Sequence, residues 1–274
     1  MNVRRVSLFP TENRRMEPQL SDAADQRRGA FAAVVVGGWA AMFVCCIAIG
    51  ALITGPLRDS ALVRWDRQYP VDLEAARTAM GKTWSSYGSL LGDTLTVVAV
   101  AVAVGVVLLI LKRWASVMLL ATALLAEVSI FVSTTIVVPR DRPEVEQLDV
   151  SPPTSSFPSG HTAAATALVF SLAVIIGWHV RSTLVRVIAW VIALAVGPIV
   201  GFSRIYRGMH QPLDVVVGLL LGVACVFVAF VAVRTWVGAA SSVDETSDST
   251  GSGRHAMPES ENPTDDQSDS RVAS

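Results

Sequence analysis

The sequence predicts an all-α fold, a polytopic membrane helix bundle with about six transmembrane helices. Of the 274 residues, 52% are hydrophobic and only 16% are charged, a composition too apolar for an ordinary soluble domain. Strongly apolar runs follow one another along the chain, and a helix of about 20 apolar residues is long enough to cross a bilayer. The predicted spans are residues 31–53, 94–111, 115–138, 162–178, 187–202 and 215–233.

Polar segments flank this apolar core at both ends. Residues 1–29 are rich in arginine and contain no apolar run, so we predict a flexible basic arm. Residues 238–274 are rich in Ser, Asp, Glu, Gly and Thr, a composition typical of a disordered acidic tail. Residues 30–237 then form the six-span domain. The predicted loops on one face of this domain are 55–93, 139–160 and 204–212.

The long segment 57–93 carries mixed charges and four aromatic side chains. Aromatic residues suit the headgroup level of a membrane, which favours one or two short helices lying on the membrane surface. An ordered loop that caps the bundle is an equal alternative. The aromatic residues are Trp65, Tyr69, Trp84 and Tyr87.

The cysteines Cys45, Cys46 and Cys225 all lie inside apolar runs. We therefore interpret them as small buried side chains. Their spacing indicates neither a disulfide framework nor a metal site.

The distribution of basic residues predicts how the chain is oriented. An even number of spans puts both termini on one side, and the arginine-rich arm and most short basic turns fall on that side. Because basic residues concentrate on the cytoplasmic face, we expect both termini in the cytoplasm. The loops 139–160 and 204–212 then face outward from the plasma (inner) membrane.

A dense polar cluster, residues 203–214, separates the last two predicted spans. Pro212 suits the first turn of a helix, and a carboxylate in that turn, here Asp214, is favoured by the helix dipole. His210 is within reach of this carboxylate. Such a contact would fix the imidazole tautomer and leave the other ring nitrogen as a nucleophile or base.

Further anion-binding groups reach the same membrane face. Arg204 and Arg207 belong to the polar cluster, and guanidinium groups suit phosphate oxygens. Ser159, Gly160 and His161 directly precede the fourth span, at a helix amino terminus that attracts anions. Helix capping alone would also explain Ser159. The topology therefore predicts one polar site at this face.

Glu127 is the only ionisable residue inside the third predicted span. A lone acid in hydrocarbon is costly, so it is a functional candidate that could support the site from below. The alternative is a protonated carboxyl bonded to a neighbouring helix.

These residues resemble the three-part signature of the type 2 phosphatidic acid phosphatase superfamily. The resemblance extends over residues 135–214 by motif and over the six-span core by layout. The motifs are Arg142–Pro143, then Pro158–Ser159–Gly160–His161, then Ser203–Arg204 with His210 and Asp214. The resemblance implies hydrolysis of lipid phosphates or diphosphates without a metal or another cofactor.

The resemblance also implies a role for each site residue. His210 attacks phosphorus and forms a phosphohistidine, Asp214 orients His210, and His161 protonates the leaving oxygen. Fixed cationic and N–H donors suit the charge that spreads over a phosphoryl group in transfer. The groups implied to bind the phosphoryl oxygens are Arg142, Ser159, the Gly160 backbone N–H and Arg204.

One position departs from the family pattern. The first motif of the family usually opens with a lysine seven residues before Arg142, and this chain has Thr135 there. A threonine donates one neutral hydrogen bond and brings no charge. Thr135, Arg140 and Arg207 are therefore additional candidates for phosphate contact, with the two arginines compensating for the missing lysine.

The leading hypothesis is an extracytoplasmic lipid phosphatase that acts on a membrane lipid. Polyprenyl diphosphate is the favoured substrate, and phosphatidic acid or phosphatidylglycerol phosphate is the alternative. A lipid phosphotransferase is also open, because an acceptor other than water can take the phosphoryl group. A vanadium haloperoxidase is disfavoured, because those enzymes are generally soluble. The non-enzyme alternative is a scaffold or transporter with a vestigial site. No nucleic-acid partner is expected, and no protein partner is indicated.

Overall fold

The chain folds as an all-α bundle, as its composition predicts. The computed structural model describes residues 13–151 and 153–251, with side chains described over 25–151 and 153–237. The helices in these ranges are α1 (Asn13–Thr54), α2 (Ala61–Ala75), α3 (Ala79–Leu90), α4 (Thr94–Ile110), α5 (Trp114–Val137), α6 (Gly160–His179), α7 (Thr183–Tyr206) and α8 (Pro212–Gly251).

Six segments of the described chain are long and apolar enough to cross a membrane, which confirms the six-span prediction. The second of them combines α3 and α4, although hydropathy alone placed its start at residue 94. The segments are Asp25–Thr54, Ala79–Ile110, Trp114–Val137, Gly160–His179, Thr183–Tyr206 and Pro212–Val237.

Several helices extend beyond their apolar runs, because the backbone continues to form helical hydrogen bonds after the side chains become polar. Helix α7 is the clearest case, since it runs from Thr183 to Tyr206 where hydropathy predicted 187–202. Ser203 and Arg204 therefore lie in the last turn of α7. The predicted loop 204–212 is wrong in this respect, because only a short turn separates α7 from α8.

The segment 57–93 forms two short helices, as one of the two expectations held, whereas their expected location on the membrane surface stays a prediction. The side chain of Ser60 accepts a hydrogen bond from the first turn of α2, and that of Thr78 does so for α3. Such caps satisfy backbone N–H groups that a helix start leaves unpaired. Helix α3 packs against α7, and α2 contacts both α7 and α8. The two helices are therefore part of the bundle.

The two ends of the described chain are helical. Helix α1 begins at Asn13, inside the segment 1–29 that was predicted to be a flexible arm, and α8 continues to Gly251, inside the predicted tail. The remaining parts of these two predictions, 1–12 and 252–274, lie outside the described residues.

Helix α6 lies at the centre of the bundle, packed against α5, α7 and α8. Close approach to α8 depends on Gly222, where an added Cβ would come within 2.6 Å of the Ala163 carbonyl oxygen. Since atoms cannot approach so closely, a larger residue there would separate the two helices. This packing places the amino termini of α6 and α8 side by side.

The cysteines agree only partly with the sequence interpretation. Cys46 and Cys225 are buried free thiols in a core between α1, α5, α6 and α8. Cys45 is exposed on the outside of the bundle. An apolar run in a membrane helix has a lipid-facing side as well as a buried side, so the run alone does not decide burial.

Candidate active site

A tight turn between α7 and α8 presents His210. Gly208 has φ 74°, a left-handed conformation that glycine adopts without steric cost. The N–H of Met209 donates to the Arg204 carbonyl over 3.0 Å, which closes the end of α7. Pro212 begins α8 and Asp214 lies in its first turn, as predicted. His210 and Asp214 are both buried.

The hydrogen bond on His210 comes from a group that sequence reasoning missed. Nδ1 of His210 lies 2.8 Å from the backbone carbonyl oxygen of Ser156. Asp214 Oδ2 is 3.7 Å from the same nitrogen, an ion-pair distance longer than a hydrogen bond. Because a carbonyl only accepts, Nδ1 carries the hydrogen and Nε2 has the free lone pair. A free ring nitrogen on His210 was expected from the sequence. The hydrogen bond that sets the tautomer was expected from Asp214, but the Ser156 carbonyl accepts it instead.

Two opposing effects act on the charge of His210. Burial lowers the pKa of His210 from its ordinary value, whereas the carboxylate of Asp214 raises it. Burial is the stronger effect, so the imidazole is neutral near pH 7. A neutral ring with a free Nε2 is the form that can attack an electrophile.

Asp214 belongs to a buried ion-pair network that reaches α2. Arg140 donates from Nη1 to Asp214 Oδ1 and from Nη2 to Asp66 Oδ2. Asp66 also accepts the N–H of Leu213 over 2.7 Å, and Asp214 accepts the N–H of Gln211 over 3.0 Å. Both carboxylates are fully buried. The network therefore joins α2, the 138–160 segment and the first turn of α8.

This network changes the interpretation of Arg140 as a phosphate contact. Its guanidinium is committed to two carboxylates, and it lines a separate cavity of about 670 Å³. Burial raises the pKa of Asp66, although the charge of Arg140 opposes this effect. With two carboxylates and one guanidinium, the network carries one net negative charge beside His210 when all three groups are ionised.

Arg204 and Arg207 share the carboxylate of Asp149, a residue that the sequence did not indicate as part of the site. Arg204 Nη1 lies 2.8 Å from Asp149 Oδ2, and Arg207 makes two hydrogen bonds of 2.6 and 2.7 Å to the same carboxylate. Arg204 Nη1 also donates to Ser89 Oγ on α3 over 2.8 Å. Burial alone would raise the pKa of Asp149, but hydrogen bonds and charges from the two arginines bring it below its ordinary value. Asp149 is therefore an ionised partner of both arginines.

Arg142 reaches the same region from the segment after α5. Its Nη1 donates to the Met209 carbonyl over 2.8 Å, which ties the 138–160 segment to the turn before α8. The Nε of Arg142 and the Nε of Arg204 are both buried without a hydrogen-bond partner. Unpaired buried donors of this kind are uncommon and need an explanation.

The amino terminus of α6 supplies three of the predicted residues. Gly160 and His161 form its first turn, and Ser159 is its N-cap residue. The Ser159 side chain makes no capping bond, because its Oγ pairs with Thr162 Oγ1 at 2.8 Å. The capping explanation for Ser159 is therefore wrong.

Thr135 is not brought into this group. Its hydroxyl donates to the Val132 carbonyl of its own helix over 2.8 Å. A short side chain near the end of α5 does not extend as far as the lysine of the family pattern. Neither Thr135 nor Arg207 lines the cavity described next.

A cavity of about 820 Å³ brings five of the candidates together, whereas Ser159 and Asp214 do not line it. Its polar end is lined by Arg142, His161, Arg204 and His210, with Gly160 and Asp149 beside them. Its other end is apolar and lies between α4, α5 and α6. The apolar lining includes Val97, Val98, Ala101, Val102, Leu124, Leu125, Val128, Phe131 and Ala164.

The apolar end reaches the outer surface of the bundle. Val98 and Val102 on α4 and Leu125 on α5 are more than half exposed, at 51%, 59% and 67%. These residues belong to segments long and apolar enough to span a membrane. A hydrocarbon chain can therefore enter between α4 and α5 while a polar group occupies the other end.

Fold and site together define a class, an all-α membrane protein with histidines and arginines at the polar end of a laterally open cavity. Residues 117–237 match the family model of the PAP2 superfamily. The matched residues contain all three motifs, so the match confirms the resemblance to this superfamily that the sequence predicted.

Individual relatives agree with this assignment. The chain is 34% identical over 106 residues to a protein of Escherichia coli (strain K12) that is provisionally named undecaprenyl-diphosphatase YbjG. The match covers 36% of this chain and spans about half of the relative, 49% of its length.

Solved structures resemble the fold. A transmembrane PAP2 type phosphatidylglycerolphosphate phosphatase from Bacillus subtilis matches with a TM-score of 0.61 and 21% identity, over 70% of this chain and 93% of that one. LpxE from Aquifex aeolicus matches with a TM-score of 0.49 and 25% identity, over 63% and 96% of the two chains.

Proposed function

We propose that the protein is an integral-membrane lipid phosphatase that hydrolyses a lipid phosphate or diphosphate through a phosphohistidine on His210. The observation that carries this proposal is the pair of unpartnered Nε donors on Arg142 and Arg204, at the polar end of a cavity whose other end is apolar. Guanidinium groups bind phosphate oxygens, and an apolar channel accepts a lipid tail.

The reaction follows from the positions of the two histidines. His210 Nε2 attacks phosphorus, the bond from phosphorus to the leaving oxygen breaks, and His161 gives that oxygen a proton. Water then attacks the phosphohistidine, His161 takes a proton from this water, and inorganic phosphate leaves as the P–N bond breaks. The Ser156 carbonyl and Asp214 favour the positive charge that the imidazole gains during attack.

Arg142 and Arg204 stabilise the oxygens of the transferring phosphoryl group, with Gly160 N–H at the amino terminus of α6. Ser159 remains a proposed phosphate contact, although its hydroxyl would first have to leave Thr162. Thr135, Arg140 and Arg207 have no direct part in this scheme, because their polar groups are committed elsewhere.

The lipid is either a polyprenyl diphosphate or a phospholipid phosphomonoester. An outward-facing site and the name of the Escherichia coli relative favour the polyprenyl class. Phosphatidic acid and phosphatidylglycerol phosphate form the second class. With a diphosphate the leaving group is the lipid monophosphate, whereas with a phosphomonoester it is the lipid alcohol.

The test is phosphate release by detergent-purified protein, with and without EDTA, from a polyprenyl diphosphate, phosphatidic acid and phosphatidylglycerol phosphate. Release that survives EDTA and disappears in His210→Ala supports a metal-independent histidine mechanism. Transfer of phosphate to an added alcohol in place of water identifies a phosphotransferase. An intact, folded protein that releases no phosphate from any of these lipids would overturn the proposal.

We also propose that the protein lies in the plasma (inner) membrane with its termini in the cytoplasm and its site outside. Val150, in the 138–160 segment, and Arg181, in the turn between α6 and α7, are both exposed. A membrane-impermeant thiol reagent should label Val150→Cys in intact cells and Arg181→Cys only after permeabilisation. The reverse pattern would refute this orientation.

A further inference from the structure

Glu127 is a buried acid without a partner among the described residues. Glu127 lies on α5 and is only 3% exposed, and its Oε1 has no hydrogen-bond partner among the described residues. Among the residues that the structure describes, it forms no ion pair. The bond to a neighbouring helix that the sequence offered as the alternative explanation is therefore absent from the described chain.

The position of Glu127 connects it to the proposed substrate. It lines the same cavity as His210 and Arg204, with Leu124, Val128 and other apolar side chains around it. The Phe131 ring lies against Gly160, so that an added Cβ there would be 2.8 Å from the ring. Glu127 is one helical turn from Phe131, about 6 Å further along α5 from the phosphate end.

An unpaired carboxyl in the apolar lining of the cavity costs free energy, because apolar contacts replace its hydrogen bonds to water. Without a cation to pair with, the neutral acid is the form that such a lining tolerates. A neutral carboxyl has one O–H donor and needs an acceptor. No described residue supplies this acceptor, but Glu127 lines the cavity, so a ligand bound there can supply it.

We propose that Glu127 donates a hydrogen bond to an ester carbonyl of the lipid, and that it selects glycerolipid phosphomonoesters over polyprenyl phosphates. This inference rests on the proposed lipid phosphatase activity, and it selects the phospholipid class over the polyprenyl class that the proposed orientation and the name of the relative favour. The ester carbonyls of a diacylglycerol phosphate lie only a few bonds from phosphorus, and Glu127 lies one helical turn beyond Phe131, which packs against Gly160 at the phosphate end. A polyprenyl chain has no acceptor there and would leave the carboxyl unpaired.

Matched lipids isolate this hydrogen bond. Non-hydrolysable phosphonates of a diacylglycerol and of a dialkylglycerol have the same phosphorus group and similar tails, but only the first carries ester carbonyls. One net hydrogen bond predicts that wild-type protein binds the diacyl phosphonate about 3- to 10-fold more tightly. The polyprenyl phosphonate should bind like the dialkyl compound or more weakly.

Variants of Glu127 complete the test. Glu127→Leu should abolish the diacyl preference, while Glu127→Gln should keep most of it, because the amide still donates a hydrogen bond. Ser171→Ala is the matched control, since Ser171 on α6 is also a buried polar residue with an unpartnered oxygen and does not line the cavity. It should leave all three affinities in their wild-type ratio.

Several results would overturn the inference. Equal binding of the diacyl and dialkyl phosphonates by wild-type protein, or a preference that Glu127→Leu leaves unchanged, would exclude a carbonyl contact. Equal weakening of all ligands by Glu127→Leu would make Glu127 a purely structural residue. Because these measurements report binding, a diacyl preference without phosphate release would contradict the proposed phosphatase activity and leave the Glu127 contact standing.

Discussion

The two sides of His210 differ in how their buried polar groups are satisfied. On one side, Asp66, Arg140 and Asp214 pair with one another and with backbone N–H groups. On the cavity side, Arg142, Arg204 and Glu127 each have a buried polar atom without a partner. Proteins normally satisfy their buried polar groups with hydrogen bonds or ion pairs. The side with Asp66, Arg140 and Asp214, here called the complete side, follows this rule, so we interpret it as a support that holds His210 in position. The incomplete side is where we expect a ligand to supply the missing partners.

The largest expected effect is on the incomplete side. Removing Arg204 or Arg142 by substitution with alanine should lower kcat about 10²- to 10³-fold, since one fixed donor to a developing oxyanion contributes an effect of that order. Initial rates on the preferred lipid measure this loss. Arg186→Ala is the control, because Arg186 lies on α7 with Arg204 but bonds only to carbonyls at the other end of the helix. Wild-type rates in Arg142→Ala and Arg204→Ala would refute their role.

A smaller effect is expected when the complete side loses one charge. Asp66→Asn keeps an acceptor for the Leu213 N–H and leaves Arg140 paired with Asp214. When Asp66 is ionised in the wild-type protein, this substitution removes the net negative charge beside His210, so the imidazolium is less stabilised. We expect kcat to fall about 10-fold, corresponding to roughly 1.4 kcal/mol, with KM nearly unchanged.

The pH profile separates this positioning effect from a loss of folded protein. Removing a nearby carboxylate lowers the pKa of His210, so the acid limb of kcat/KM should move to lower pH in Asp66→Asn. Asp72→Asn is the control on the same helix, because Asp72 is exposed and bonds only to Gln68. A lower rate with an unshifted profile would mean that Asp66 only supports the fold.

The pH dependence of the wild-type protein also tests the environment of His210. The proposed nucleophile, His210, must be neutral to attack phosphorus, so we expect activity to be lost as pH falls through its pKa. Burial brings this pKa below 6.5, the ordinary value for histidine, despite the opposing charge of Asp214. The acid limb of kcat/KM should therefore lie below pH 6.5. An acid limb above pH 6.5 would contradict the described environment of His210.

Asp149 lies at the border between the two sides and gives the smallest expected effect. Its carboxylate pairs with Arg204 and Arg207 and also lines the cavity. Because the carboxylate competes with an anionic substrate for Arg204, Asp149→Asn should lower KM about 3-fold, in the range of a partly exposed ion pair. Steady-state kinetics at low salt measures the change. An increased KM would show that Asp149 mainly positions Arg204.

The sequence predicted the spans and the motif residues well, because both depend on local patterns. Hydropathy identifies a membrane helix directly, and the spacing of His210 and Asp214 is a local feature of one turn. Arg142, His161, Arg204 and His210 were expected at one face, and they line one cavity.

The contacts that hold the site were not predictable in this way. The acceptor of His210 is the carbonyl of Ser156, and every residue has a carbonyl, so its residue type carries no signal. Asp66 lies 74 residues before Arg140, in a segment whose mixed charges suggested only a surface location. Arg140 looked like a phosphate contact because the sequence does not reveal that two carboxylates surround it. Tertiary packing decides these partners.

The most direct test of the proposed phosphohistidine mechanism is to trap the covalent intermediate. Wild-type protein is quenched at neutral to alkaline pH during turnover of a lipid labelled with ³²P in the transferred phosphoryl group, and the phosphorylated peptide is sequenced by mass spectrometry. We predict an acid-labile phosphohistidine at His210, absent from His210→Ala and formed more slowly in Asp66→Asn. Turnover with the label on another residue, or label retained in His210→Ala, would contradict it.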